Sequence, residues 1–106
     1  MINTIEYIDV GKMDEIMVRI GKVVVIEKEE IAVFRTSDNQ LFALENKSPH
    51  PKGGPLAEGI VSGHYLYDPL YDWRINLETG EVQEPDSGKV RTYPIRTVGD
   101  RVQIAI

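Results

Sequence analysis

Two short clusters of polar side chains stand 17 residues apart: Ser48-Pro49-His50 and, after the spacer, Asp68-Pro69-Leu70-Tyr71. A hydroxyl, an imidazole, a carboxylate and a phenol brought to one place support three kinds of chemistry. Ser48, His50 and Asp68 are the residue types of a hydrolytic triad, in which the imidazole takes the hydroxyl proton and the carboxylate orients the ring. The serine, however, lies two residues from its own base on a proline-constrained stretch, and no Gly-x-Ser-x-Gly elbow surrounds it. Alternatively His50 and Asp68, joined by His64 or Glu58, offer nitrogen and oxygen donors to a mononuclear metal. The third possibility is structural: Ser48 and Asp68 satisfy loop amides and, with His50 and Tyr71, form a polar contact between two loops. The residue types favour this last reading.

The 106-residue chain contains no cysteine, which excludes disulfides, thiol nucleophiles and thiolate-held metal or iron–sulfur sites built from its own sequence. Twelve Lys and Arg stand against 17 Asp and Glu, a net charge of −5, and no basic tract is present. Nucleic acid is therefore not an expected partner, because its phosphates are held largely by Lys and Arg. The longest apolar runs are four residues, against the roughly 20 that span a bilayer. Lys12 is the first basic residue and follows Glu6 and Asp9, unlike a secretory signal, so a cytoplasmic protein with no membrane partner is expected. The acids are unevenly spread. Residues 58–88 hold seven carboxylates and only Arg74 to oppose them, a local balance of −6. Such a segment is either a solvated face or a docking surface for a basic partner, with Glu58, Asp72, Glu78, Glu81, Glu84 and Asp86 as its candidate contacts.

Length and punctuation suggest one domain over residues 1–106, built of many short strands. Residues 23–26, 30–35 and 40–45 are expected to form a meander. Residues 93–98 and 101–106 flank Gly99-Asp100, a favoured two-residue hairpin turn. Residues 74–77 are expected to form a strand anchored by Trp73. One helical turn is expected over residues 10–15, with Asp9 as its N-cap. Three loops follow from the Gly and Pro clusters: residues 46–63, with three prolines and two adjacent glycines before Leu56, then 68–72 and 78–89. The first two carry the polar clusters, as expected of functional loops on a β scaffold.

The spacing of those two loops resembles the Rieske pattern: Cys-x-His, a spacer of 15 to 17 residues, then Cys-x-x-His, an aromatic, a hydrophobic strand and a Thr-Gly turn. Here Ser48 and Asp68 stand at the cysteine positions and His50 and Tyr71 at the histidine positions. Trp73, Arg74 to Leu77 and Thr79-Gly80 follow, while Gly53-Gly54-Pro55-Leu56 and Tyr93-Pro94-Ile95-Arg96 extend the likeness over most of the chain. The resemblance implies an all-β, Rieske-type [2Fe-2S] ferredoxin-like fold of antiparallel sheets in a β-sandwich. A Rieske centre binds one iron by two thiolates and the other by two imidazoles. Three of its four ligands are missing at these positions, where only His50 matches, so the resemblance implies that the cluster is absent and the four positions are vestigial.

A Rieske-like chain of this length without cluster ligands is similar to the small subunits of assimilatory NAD(P)H-dependent nitrite reductases. That resemblance implies a non-catalytic subunit with no cofactor of its own. Its partner would be a large subunit carrying FAD, a four-iron cluster and sirohaem, and the complex would reduce nitrite to ammonia. The alternative implied by the same scaffold is a Rieske-type ferredoxin that delivers electrons to an oxygenase.

Overall fold

Ile31, Ala32, Val33 and Phe34 form an unbroken apolar run, the pattern of a strand covered on both faces. In the computed structural model, which describes residues 5–106, all four are fully buried. Residues 1–4 of the expected domain lie outside the described residues. The run sits in β3 (Glu29–Arg35), and two different sheets cover its two faces.

Among the described residues, ten strands form three sheets. The central sheet has the order β2-β3-β4-β8, from Lys22–Ile26, Glu29–Arg35, Leu41–Glu45 and Thr92–Tyr93. The second, β1-β10-β9, uses Tyr7–Lys12, Arg101–Ala105 and Ile95–Val98. The third, β5-β6-β7, has three residues per strand: Ile60–Ser62, Tyr65–Tyr67 and Arg74–Asn76. Every ladder between strands is antiparallel. Because alternate residues of a strand point to opposite faces, β3 serves two cores. Ala32 and Phe34 pack with Leu56, Val61, Leu66, Ile75 and Leu77 of the small sheet and its loops. Ile31 and Val33 pack with Tyr93, Val102 and Ile104 on the other side.

The antiparallel all-β expectation and the meander hold, with a third sheet added. Three local expectations do not. Val10 to Lys12 belong to β1 rather than to a helical turn, leaving a 3-10 turn at Met13–Glu15 only. Asp9 does not cap it: its carboxylate accepts the Gly11 N–H at 3.0 Å and pairs with Arg101 across to β10. The pairing register slips by a bulge between Asp9 and Gly11, which masks the strand's alternation in the sequence. The segment 93–98 is divided at Pro94, which has no N–H to give to a ladder; Tyr93 pairs with Ala43 and Ile95 with Ile104, in different sheets. Finally, the loop expected over residues 46–63 ends in β5.

One polar cluster ties the periphery together. His64, in the β5–β6 turn, places Nδ1 2.9 Å from Glu78 and Nε2 2.9 Å from Asp38 in the β3–β4 turn, with the Phe42 ring edge-on at 5.2 Å. The hydrogen bonds to Glu78 and then Asp38 raise the His64 pKa above its ordinary 6.5. Thr36 and His64 hold Asp38 below its ordinary 3.8. The histidine's contribution to stability is complete below pH 6.5 and is lost as pH rises through its folded pKa. The Asp38 contribution is present above 3.8 and is lost as pH falls through its lowered value. The melting-temperature advantage of the parent over His64→Gln is therefore expected to be widest between about pH 4 and 6.5 and to shrink in alkali. A difference independent of pH in thermal melts would contradict this.

Candidate functional site

The first loop leaves β4 at Asn46, whose Oδ1 accepts the N–H groups of Leu56 and Ala57 at 2.9 and 2.8 Å. One amide side chain thus closes the base of a loop more than ten residues long and satisfies two backbone donors. Within it, the Ser48 N–H donates to Gly54 O at 2.7 Å and the Gly53 N–H to His50 O at 2.8 Å. The second loop is folded around one carboxylate. Asp68 Oδ1 accepts the N–H groups of Leu70 and Tyr71 at 2.8 and 3.1 Å, and the Asp68 N–H donates to Trp73 O at 2.9 Å. The loops approach closely at Gly54: its φ is +109°, and a Cβ there would come within 2.8 Å of Leu70 Cδ1. The positive φ is what favours glycine there, since the exposed Leu70 methyl can move aside.

These frames bring all four residues of the two polar clusters together. The Ser48 hydroxyl donates to Asp68 Oδ2 and accepts the His50 N–H at 3.1 Å. Both Ser48 and Asp68 are only 3% exposed. Beside this bond, the His50 ring stacks on Tyr71 at 3.6 Å with 7° between the planes, and Trp73 leans on it at 4.9 Å and 57°. His50 Nδ1 accepts the Lys52 N–H at 3.0 Å.

The arrangement decides among the three chemistries. The Ser48 proton is directed at Asp68, not at the imidazole, and His50 Nδ1 is engaged by its own loop, so the base-to-nucleophile contact of a triad is not made. His64 is bound up with Asp38 and Glu78 rather than with His50, and among the described residues no three His, Asp or Glu side chains converge as metal ligands. A two-iron cluster does not fit either. The positions that the Rieske resemblance gives to the thiolates hold hydroxyl and carboxylate oxygens hydrogen-bonded to each other, and a phenol ring lies flat on His50, the one imidazole among the four positions. Oxygen donors are a poor match for a centre that needs two thiolates and two imidazoles.

The candidate docking acids are spread over the three loops. Glu58 closes the first loop and Asp72, at φ +57°, ends the second; both are exposed. Glu78, Glu81 and Glu84 are exposed and Asp86 half-buried in the third loop, residues 78–89. That loop touches the first where a Cβ on Gly88 would lie 3.3 Å from Pro49 Cβ. Glu78 is not free: His64 holds it. Sequence reasoning did not find Asn46 or the His64 cluster. An Asn directly before a Pro- and Gly-rich loop signals the first; the second joins residues up to 40 positions apart and has no local signal.

Known proteins share this architecture. The chain is 28% identical over 101 residues to the nitrite reductase (NADH) small subunit of Escherichia coli (strain K12), covering 91% of this chain and 94% of that protein. It is 32% identical over 102 residues to the anthranilate 1,2-dioxygenase ferredoxin subunit of Burkholderia cepacia, covering 95% and 93%. The solution structure of the E. coli protein NirD matches with a TM-score of 0.84 at 26% identity, over 97% of this chain and 98% of that one. Residues 6–105 match the Rieske-like [2Fe-2S] domain. Sequence and geometry therefore converge: the chain belongs to the Rieske-like [2Fe-2S] domain family and is homologous within it to nitrite reductase small subunits and oxygenase ferredoxins.

Proposed function

We propose that this chain is the small subunit of an assimilatory NAD(P)H-dependent nitrite reductase. It docks on and supports a cytoplasmic large subunit that carries FAD, a four-iron cluster and sirohaem and reduces nitrite to ammonia. The observation that carries this reading is the Ser48–Asp68 hydrogen bond with the His50–Tyr71 stack beside it, at the positions where a Rieske centre has its four ligands. The likeness to the E. coli subunit over nearly its whole length supports it. Without a centre of its own, the chain contributes shape and charge rather than an electron path.

In this reading Ser48, His50, Asp68 and Tyr71 are vestigial cluster positions turned into a cross-link between the first two loops. Glu58, Asp72, Glu81, Glu84 and Asp86 make up the docking surface, and Glu78 fixes its edge through His64. The exposed acids set the rate and orientation of approach to a basic patch more than the final affinity.

The second reading, a Rieske-type ferredoxin, is favoured by the 32% identity to a dioxygenase ferredoxin subunit. Iron and acid-labile sulfide content after anaerobic purification separates the two. The subunit reading expects neither at stoichiometric level; a full complement with a Rieske spectrum would install the ferredoxin reading instead.

Three outcomes are expected. The chain co-purifies with the large subunit, and nitrite reduction by the large subunit alone falls short of that by the pair; full activity without this chain would end the proposal. Charge reversal of Glu81, Glu84 and Asp86 together slows complex formation as added salt does, since exposed charges are screened over about 8 Å at physiological ionic strength. An unchanged association rate, followed by stopped flow, returns these acids to a solvated face. Ser48→Ala leaves the buried Asp68 Oδ2 without its donor and lowers stability by about 1–3 kcal/mol in urea unfolding. An unchanged midpoint would show that the cross-link is not holding the loops.

A further inference from the structure

His64 makes two contacts that only one of its protonation states allows. Its Nδ1 lies 2.9 Å from Glu78 Oε1, and its Nε2 lies 3.1 and 2.9 Å from Oδ1 and Oδ2 of Asp38. Ionised carboxylates accept and do not donate, so both ring nitrogens must carry a proton, as they do only in the imidazolium. The neutral ring has one N–H, and its other nitrogen would turn a lone pair toward a carboxylate. Deprotonation therefore breaks one of the two contacts. The titratable groups that face the ring are Asp38 from the β3–β4 turn and Glu78 from the third loop, and β4 adds the Phe42 ring. The neighbouring cations are engaged elsewhere. Arg35, at the base of the β3–β4 turn, donates to Asn39 Oδ1 and to the carbonyls of Met13 and Ile16, and Arg74 of β7 lies over the Tyr65 ring.

Which contact breaks follows from what else holds each carboxylate. Asp38 is fixed a second time: the hydroxyl of the fully buried Thr36 donates to its Oδ1 and accepts the Gln40 N–H at 3.1 Å, closing the turn. The Glu78 carboxylate has no second donor among the described residues, and its side chain is 57% exposed. The remaining proton therefore stays on Nε2, against the carboxylate that cannot leave, and Glu78 turns into water. The loop backbone does not follow, because Asn76 Oδ1 accepts the N–H groups of Glu78 and Thr79 at 2.8 and 3.3 Å whatever the charge on the ring. We propose that His64 is a proton-operated clasp on the acidic surface. Protonated, it ties Glu78 to the β3–β4 turn; neutral, it releases Glu78 to the exposed acids Glu81 and Glu84 and so strengthens the pull on a basic partner. The effect on a partner rests on the docking role proposed for those acids, whereas the clasp itself does not. Glu78 and then Asp38 raise the His64 pKa above 6.5, so release comes above that pH.

Carbon-13 and nitrogen-15 NMR of the whole chain, titrated from about pH 5 to 9, tests the clasp. The His64 ring is expected to lose its Nδ1 proton at a midpoint above 6.5, and the Glu78 carboxyl carbon to shift at that same midpoint. Glu78→Gln should bring the His64 midpoint down, and His64→Gln should remove the step from the Glu78 signal. A neutral ring that keeps its proton on Nδ1, or a Glu78 carboxyl that does not move with the ring, overturns the clasp. Stopped-flow association with the large subunit reads the effect on a partner. The rate for the parent relative to His64→Gln is expected to rise about twofold from about pH 6 to 9. A ratio that stays flat overturns the effect on the partner. Absence of association at every pH overturns the docking reading instead, while the NMR titration decides the clasp.

Discussion

Everything in this fold hangs on a strand whose middle has no solvent face. With four consecutive side chains fully buried, β3 cannot shift register by one residue without driving the residues of one core into the other. That constraint orders the rest. The terminal hairpin and β1 must cover one face of the central sheet, and the small sheet must cover the other, because each buries the alternate half of the same strand. The first two loops and the third are the connections that the small sheet needs, and they inherit their positions from it. Asn46, anchored at the end of β4, then sets where the first loop begins and ends.

A metal cluster between two loops does mechanical as well as electronic work, since its bonds hold the loops at one separation. Here the separation is held by weaker contacts with strict partner requirements. Asp68 is nearly fully buried and spends its oxygens on one hydroxyl and two backbone N–H groups, so its charge is matched by donors from both loops. The aromatic stack of His50 and Tyr71 adds flat contact where the histidine ligands of a Rieske centre would be. Under the proposed reading the loops keep their shape as a recognition surface after the redox chemistry is gone.

The molecule is also divided electrostatically. Its acid excess sits in residues 58–88, whereas residues 17–25 hold two bases, no acid and five exposed apolar side chains. The His64 cluster joins the β3–β4 turn to Glu78 at the start of the third loop, and its two carboxylate partners favour the protonated imidazole.

The sequence by itself determined an all-β chain with its meander and terminal hairpin, because these rest on side-chain alternation and turn residues, while the pairing of Ser48-x-His50 with Asp68-x-x-Tyr71 was implied by the resemblance of their spacing to the Rieske pattern. It also determined, through the absence of cysteine, that the ligand positions hold the wrong donors for a cluster. Tertiary structure alone decided that β1 is a strand despite its bulge, that Pro94 parts one apparent strand between two sheets, and that strands of three residues form a sheet of their own. It alone decided that the serine proton goes to Asp68 rather than to His50, and that His64 serves Glu78 and Asp38 instead of a metal. The division has one cause. Periodicity and turn chemistry act over a few residues and are written in the local order, whereas bulges, short ladders and polar partners become favourable only when burial brings distant segments within hydrogen-bond reach.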